Sequence, residues 1–495
     1  MSDVRCIATH RSSRRSGAPP WSLASAGVSE LWQLSALELA DRIRRGETSS
    51  REVLHALLGR VEAVNGDLNA IVAILGDEAE KAADSADQAV ADGVPLGPLH
   101  GVPITVKENI DVAGWPTTHG VPAFAEAVVP VDAPVVERMR AAGAIPFART
   151  NMPDFGLRVH TDSTLRGLTR NPWRPDVTAG GSSGGEASSL ASGMSPLGLG
   201  NDLGGSLRNP AHCCGIASIK PTTGVVPHAS FLPPEDPLIM FQLMAVEGVL
   251  ARRVADVRAG LQVLAGAHPR DPLSLPVNLR TSEPGARFRI AVCTEPPGGT
   301  TDAGVAAAVR RAADALADAG HDVDEAVPPT YERAIELWVQ MLLPDVRFMR
   351  PLLEDVMGAD SKAFLDFAAI EYPPIDISTW ALLFAERHGV MRDWSAFFDT
   401  WDALLTPTWT QPPFAHGADI GSLDEARNTL SLMRPVLPAN LLGLPAAVVP
   451  AGLAAGLPVG AQLTGPRFAD LVMLDVAQTV EDQLGILTPI DPLTG

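Results

Sequence analysis

Apolar residues recur at helical spacing near the start of the chain. Ser35 and Glu38 form a capping box, in which each side chain satisfies an unpaired backbone N–H group at a helix start. Gly46 follows this segment at a position that suits a helix end. Ser49 and Glu52 repeat the capping box, and an apolar face comes after them. Its members are Val53, Leu54, Leu57, Leu58, Val61 and Val64. The pattern predicts two successive helices.

Short apolar runs alternate with amphipathic stretches along the rest of the chain. They predict strands over residues 101–106, 144–148, 196–201, 216–221, 289–293 and 321–327, and helices over 135–142, 186–193 and 305–316. The last of these helices joins two strands, and such a β-α-β unit places both strands parallel in one sheet. An α/β fold with a partly parallel sheet is therefore predicted.

Residues 328–400 are predicted to form several helices. Large side chains recur in this region at helical spacing, namely Trp338, Met341, Phe348, Trp380, Phe384 and Trp394. Such a pattern is typical of core packing more often than of a binding surface.

The composition is that of a globular protein without a polyanionic partner. Of the 495 residues, 46% are apolar and 19% are charged, which allows a large buried core. The formal net charge of −20 argues against binding to nucleic acid or to an anionic membrane surface. No apolar run is long enough to span a bilayer. Residues 1–30 lack the apolar stretch of a signal peptide, so we expect a flexible tail followed by one domain over residues 31–495.

The cysteines have no spacing that would indicate a disulfide framework. They are Cys6, Cys213, Cys214 and Cys293, which suggests reduced thiols and a cytoplasmic protein. The adjacent pair, Cys213 and Cys214, is better interpreted as buried packing than as a redox or metal site, because no CxxC motif or histidine cluster accompanies it. We therefore expect neither a metal nor a cofactor.

Two glycine-flanked serine sites stand out between Ala179 and Gly215. The first is the run 180–185, GGSSGG, and the second is the run 204–206, GGS. Glycine weakens regular structure, so glycines clustered around serine indicate unusual backbone angles or close approach of another group. A hydroxyl in an open turn with free backbone N–H groups beside it is what acyl transfer requires.

Other chemistries fit these residues less well. The first serine run also matches G-x-S-x-G, the nucleophile elbow of α/β-hydrolases, for which His212 or His228 could act as base. An elbow needs a strand directly before it, whereas the preceding residues 171–176 contain two prolines. A dinucleotide site at Gly198 is unsupported, because Leu203 stands where the third glycine of that motif belongs.

Three separated segments resemble the amidase signature family of serine hydrolases. They are GVPITVKENI (101–110), GGSSGGEASSLASG (180–193) and GLGNDLGGSLRNPA (198–211). The resemblance implies that Ser206 is the nucleophile, Ser182 a bridging serine on a cis peptide bond, and Lys107 the base. It also implies an oxyanion hole made by the backbone N–H groups of Leu203, Gly204, Gly205 and Ser206. Ser183, Asp202 and Arg208 would support this site, while Met152 and Phe155 would line the substrate pocket.

The resemblance extends from Leu34 to about Asp482 and implies a fold as well as a reaction. The fold is a single large α/β domain, with a central twisted mixed sheet covered by helices on both faces and a helical region at about 328–400 over the substrate channel. The reaction is hydrolysis of carbon–nitrogen bonds in small amides, anilides (an aryl acylamidase) or carbamates (a urethanase), with esters as further substrates. We expect a monomer or homodimer acting on a small molecule. The alternative is the glutaminase subunit of a tRNA-dependent amidotransferase, which works only within an assembly.

Overall fold

A computed structural model describes residues 28–232, 236–283 and 285–493. Its strands are β1 (Ile71–Ile74), β2 (Pro103–Lys107), β3 (Ile145–Thr150), β4 (Asp162–Ser163), β5 (Gly167–Leu168), β6 (Leu197–Asp202), β7 (Ala217–Lys220), β8 (Val246–Ala251), β9 (Arg289–Val292), β10 (Asp322–Glu325), β11 (Ala403–Pro407), β12 (Ala446–Ala454) and β13 (Leu457–Thr464). Of the predicted tail, residues 1–27 lie outside the described residues, and a 3₁₀ helix, Val28–Gln33, begins the described chain.

Most of the helices of the described chain lie between these strands in the sequence, while two precede β1 and one follows β13. They are α1 (Ala36–Arg44), α2 (Ser50–Leu68), α3 (Gly76–Ala91), α4 (Pro134–Ala141), α5 (Gly184–Ala191), α6 (Arg208–Cys214), α7 (Ile239–Met244), α8 (Val254–Leu264), α9 (Ala303–Asp318), α10 (Tyr331–Met349), α11 (Ala359–Glu371), α12 (Ile377–Thr400), α13 (Leu423–Ser431), α14 (Leu437–Leu442) and α15 (Asp470–Leu484). Both predicted capping boxes are present, at Ser35 and at Ser49. None of the helices in the described ranges is both long and apolar enough to cross a bilayer.

One mixed sheet organises the described chain. Its strand order is β1-β3-β2-β6-β8-β7-β12-β13-β11-β9-β10. The strands β3, β2 and β6 run parallel, as do β11, β9 and β10, whereas the strands between these groups pair antiparallel. The predicted β-α-β unit is confirmed as β9-α9-β10. The predicted single α/β domain with a mixed sheet is therefore correct.

Apolar side chains cover both faces of the sheet. On β12, Ala447 and Val449 belong to the largest core cluster, while Val448 between them belongs to a smaller cluster with residues of α5 and α6. Because successive side chains of a strand point to opposite faces, each face has its own core. The helices α8, α9 and α15 pack on the strands from the larger cluster.

The predicted helical region at 328–400 consists of α10, α11 and α12. These helices build a third apolar cluster together with α14. Trp394 is buried there and packs against Tyr331, with their ring centroids 5.4 Å apart. Phe348, whose spacing predicts a core position, is instead 64% exposed in the last turn of α10.

Candidate active site

Lys107 lies at the carboxyl end of β2, between β3 and β6. Its side chain is fully buried, and its Nζ atom donates to Ser182 Oγ at 2.7 Å and to Asn201 Oδ1 at 2.7 Å. Asn201 is near the end of the parallel neighbour β6. In an α/β sheet polar groups collect at the carboxyl ends of parallel strands, and here that edge brings the lysine to the first serine site.

Burial changes the protonation of Lys107. It lowers the pKa of the amine to about 7, although nearby carboxyl groups of Glu247, Asp202 and Glu186 favour the charged form. A low dielectric disfavours a charged amine that lacks an ion-pair partner in contact. A substantial share of Lys107 is therefore neutral near neutral pH, as a general base must be.

Glycines allow the backbone around Ser182 to pass close to its neighbours. The Gly181–Ser182 peptide bond is cis, as the family resemblance implies. A Cβ atom on Gly181 would lie 2.5 Å from the backbone nitrogen of His160, and Gly180 has a φ of +82°. Only glycine fits both positions, which explains the glycine run by close backbone packing.

Ser206 occupies the turn between β6 and α6. Its carbonyl oxygen accepts a hydrogen bond from the backbone N–H of Ser183 at 3.3 Å, which holds the two serine sites side by side. Ser206 is partly exposed, and the accessible part faces a cavity. The structure therefore brings together the three predicted segments, of which the lysine segment is far from the two serine segments in the sequence.

A buried ionic network fixes the Ser206 turn. The carboxylate of Asp202 accepts from Gly205 N–H at 2.8 Å and from Leu207 N–H at 3.1 Å, on either side of Ser206. Arg208 donates to both oxygens of this carboxylate at 3.0 Å. Burial would raise the pKa of Asp202, but the guanidinium of Arg208 lowers it well below its ordinary value. The expected supporting position of both residues is consistent with this geometry.

The backbone N–H groups of the turn divide into two sets. Gly205 N–H is engaged by Asp202. Within the described part of the chain, the N–H groups of Leu203, Gly204 and Ser206 donate to no protein acceptor. Three donors of the predicted four are thus available to a ligand beside the Ser206 hydroxyl.

A cavity of about 360 Å³ opens at Ser206. Most of its wall is apolar, and α10 and α11 contribute much of it. The lining includes Leu157, Val159, Leu203, Gly204, Trp338, Val339, Leu342, Leu343, Val346, Phe364, Leu365, Ala368, Met433 and Leu437. Met152 and Phe155 are not among the residues that line this cavity; the segment 156–159 that follows them is. Phe155 stacks on His119 instead, with ring centroids 5.7 Å apart.

Trp338 of α10 contacts the Ser206 turn directly. Its indole Nε1–H donates to the carbonyl oxygen of Leu203 at 3.1 Å. A Cβ atom on Gly204 would lie only 2.6 Å from Trp338 Cζ2, so the ring packs on the bare backbone of that glycine. The helical region above the sheet therefore touches the same turn that carries Ser206.

The structure does not favour the nucleophile-elbow alternative. His212 Nδ1 accepts from Gly460 N–H at 3.0 Å, so its Nε2–H donates to the Gln411 carbonyl at 3.1 Å. With both nitrogens bonded to backbone, and burial lowering its pKa to about 4, this histidine is unsuited as a base. Ser183 Oγ has no hydrogen-bond partner among the described residues and faces Gly200, so only its backbone N–H contacts the site.

The cysteines of the described residues lie in the interior of the protein. Cys213, Cys214 and Cys293 are buried and free, and burial raises the pKa of each thiol. Cys6 lies outside the described residues. No group of three histidine, cysteine or carboxylate side chains suited to a metal occurs within the described ranges.

Three residues at this site could not be found from the sequence pattern. Asn201 contacts the lysine, Glu247 lies opposite Asn201 on β8, and Trp338 contacts the turn. A polar residue before the Asp202 turn was a weak signal for Asn201. Glu247 gave none, because its position depends on strand pairing. Trp338 was among the large side chains at helical spacing in residues 328–400, the region expected over the substrate channel, but its contact with the turn depends on where the helix packs.

Comparisons with known proteins identify the family of this chain. The family model described as Amidase matches residues 52–474. The chain is 40% identical to an indoleacetamide hydrolase of Bradyrhizobium diazoefficiens over 459 residues, covering 92% of this chain and 88% of the relative. It is 33% identical to a glutamyl-tRNA(Gln) amidotransferase subunit of Salinispora arenicola, covering 93% and 99% of the two chains.

A solved structure shows the same fold. The crystal structure of a bacterial aryl acylamidase of the amidase signature family superposes with a TM-score of 0.80 at 28% identity, covering 91% of this chain and 96% of that one. The family model, the curated relative and the solved structure thus all identify the same family. The chain therefore belongs to the amidase signature family and is a hydrolase of carbon–nitrogen bonds.

Proposed function

We propose that Ser206 is the nucleophile of an acyl-enzyme mechanism, with Ser182 and Lys107 as its proton relay. The observation that carries this proposal is the 2.7 Å hydrogen bond between Lys107 Nζ and Ser182 Oγ at a fully buried site. A serine hydroxyl attacks a carbonyl only when a base accepts its proton. Lys107, whose pKa is lowered to about 7 by burial, meets that requirement.

The relay conserves protons through both halves of the reaction. Neutral Lys107 takes the proton of Ser182, Ser182 takes that of Ser206, and the Ser206 oxygen attacks the amide carbon. As the carbon–nitrogen bond breaks, the proton returns along the same path to the leaving amine. Water then gives up a proton to the relay and attacks the ester on Ser206. The relay returns that proton to the Ser206 oxygen as the carbon–oxygen bond breaks and the carboxylic acid leaves.

The unpaired N–H groups of Leu203, Gly204 and Ser206 are proposed to stabilise the oxyanion of the tetrahedral intermediate. They lie on one turn beside the nucleophile, and that turn is fixed by Asp202 and Arg208. Donors held in place before the reaction cost no reorganisation in the transition state. Because Gly205 N–H already donates to Asp202, we propose three donors in place of four.

We propose that the substrate is a small, neutral amide with an apolar acyl group. The cavity at Ser206 is lined mainly by aliphatic and aromatic side chains, and its volume is typical of a site for a small molecule. A relative with 40% identity is named as a hydrolase of indoleacetamide, whose acyl part is aromatic. Arylacetamides are thus the first substrates to test, before anilides, carbamates and esters.

The test is turnover by the purified chain on arylacetamide, anilide, carbamate and ester substrates, with Ser206→Ala as control. We expect hydrolysis of the arylacetamide by the chain alone and none by the variant. Intact-mass measurement of a rapidly quenched reaction should show one acyl group on the wild-type protein only. A requirement for glutamine and for partner proteins would instead favour the amidotransferase alternative. Full turnover by Ser206→Ala would overturn the proposal.

A further inference from the structure

Glu247 is a buried carboxyl group beside the proposed base that the relay does not use. It lies on β8 directly opposite Asn201 of β6, in the antiparallel register of these two strands. Side chains of opposite residues in a sheet lie on the same face. Asn201 in turn accepts the hydrogen bond from Lys107 Nζ at 2.7 Å. Glu247 therefore shares one neighbour with the catalytic lysine.

This carboxyl group is poorly satisfied. Glu247 is 7% exposed, and its Oε2 atom has no hydrogen-bond donor among the described residues. The ionisable side chain in contact with Glu247 is His228, whose Nδ1 atom lies 3.4 Å from Glu247 Oε1. Burial raises the pKa of Glu247, while His228, Lys107 and the side chain of Asn201 oppose this shift and Asp111 adds to it. A buried carboxylate with few donors favours its neutral, protonated form.

The other carboxyl groups that face Lys107 have partners of their own. Asp202 is bound by Arg208. Glu186 accepts from the hydroxyls of Thr105 at 2.6 Å and Thr150 at 2.9 Å. Among the charges acting on Lys107, that of Glu247 has the largest influence. Glu247 is thus the group whose protonation can most affect the amine.

We propose that Glu247 is a positioning residue whose charge, acting from the far side of Asn201, sets how much of the Lys107 amine is neutral. The inference rests on the proposed function, in which neutral Lys107 is the base. When Glu247 is ionised, its negative charge stabilises the protonated amine of Lys107. When Glu247 is neutral, that stabilisation is lost and more of the lysine is in the neutral form that the proposed relay needs.

His228 connects this pair to the solvent. Its side chain is 36% exposed, whereas Lys107 is fully buried. A protonated imidazole beside Glu247 stabilises the carboxylate, and the carboxylate in turn stabilises the charged form of Lys107. A substitution at His228 should therefore reach Lys107 through Glu247.

The experiment is the pH profile of kcat/KM for the wild type and for Glu247→Gln. An ionised carboxyl raises the pKa of the lysine, so its removal should move the acid limb to lower pH by about one unit. Glu186→Gln is the matched control, because it also removes a buried carboxyl that faces Lys107 but one that is held by two hydroxyls. The acid limb of the Glu186→Gln profile should move clearly less than that of Glu247→Gln.

Two outcomes would overturn the inference: an unmoved acid limb in Glu247→Gln, or an equal shift in both variants. If Glu247→Gln does not fold, His228→Gln tests the same interaction from the solvent side. This variant should also move the acid limb of the pH profile to lower pH. An unmoved acid limb would again overturn the inference. Failure of the proposed function is recognised separately, because Ser206→Ala or Lys107→Ala would then retain turnover.

Discussion

The indole Nε1–H of Trp338 donates to the carbonyl oxygen of Leu203 at 3.1 Å, which joins helix α10 to the turn that carries Ser206. Trp338 also lines the cavity. One side chain therefore contacts both the space for the acyl group and the backbone whose N–H groups are proposed to bind the oxyanion.

Trp338→Phe should lower kcat with little change in KM. The variant keeps an aromatic ring on Gly204 but loses the donor to Leu203, and one such hydrogen bond contributes about 1 kcal/mol, or roughly fivefold in rate. Steady-state kinetics on an arylacetamide will measure this. Leu342→Val is the control for cavity shape, since Leu342 lines the same cavity and has no polar contact to give up. A change confined to KM in Trp338→Phe would contradict the prediction.

Gly204→Ala should have a strongly reduced kcat/KM. A smaller residue at position 338 in the same protein should restore part of the lost activity. The new Cβ would lie 2.6 Å from Trp338 Cζ2, which forces the ring or the turn to move. In the double variant with Trp338→Leu that overlap is gone. The measurement is kcat/KM of the two single variants and the double variant, together with their melting temperatures. If the two effects simply add, the ring is not what excludes a side chain at this position.

Activity should rise with pH through about 7 and then reach a plateau. The base works only when neutral, and burial lowers the pKa of Lys107 to about 7, so protonation below that pH removes the base. The pH profile of kcat/KM gives the midpoint directly. A midpoint near the ordinary pKa of a lysine would mean that this amine is not desolvated in solution.

Replacing the members of the proposed relay should separate chemistry from folding. Ser206→Ala should lose more than about 10⁴-fold in kcat, and Lys107→Ala should lose nearly as much. Both variants should show a far-UV circular dichroism spectrum like that of the wild type. Ser188→Ala, a buried serine on α5 outside the site, is the control and should keep its activity.

Asp202→Asn should destabilise the protein as well as impair it. Breaking a buried ion pair leaves Arg208 uncompensated and costs about 3 kcal/mol or more. Asp360→Asn is the matched control, because Asp360 is 55% exposed and its ion pair with Arg158 contributes little. Urea unfolding of both variants will decide, and equal midpoints would show that the Asp202 network does not stabilise the fold.

Local signals allowed part of the fold to be predicted from the sequence. The boxes at Ser35 and Ser49 predict the starts of α1 and α2 because a capping box is a contact within four residues. The strand β8 has no such signal, since Glu247 interrupts its apolar run. Helix α3 consists largely of alanine and acidic residues, so its apolar face is faint in the sequence.

The candidate site, too, could be predicted from the sequence only in part. Lys107 and Ser182 were predicted through motifs that are written in contiguous residues, and their contact is present. The assignment of Met152 and Phe155 to the substrate pocket stays a prediction: the cavity is lined by the segment 156–159 that follows them, and a Cβ atom on Gly156 would lie 3.4 Å from Met152 Cε. Trp338 and Glu247 reach the site through long-range packing, which no local pattern encodes.

The hydrogen bond from Trp338 of α10 to the Leu203 carbonyl links the size of the cavity to the turn that carries Ser206. If space for a larger acyl group is made by replacing Trp338, the Leu203 carbonyl loses its donor. Room for bulky amides gained at this position would therefore come with slower turnover, and enlargement elsewhere in the cavity wall would not.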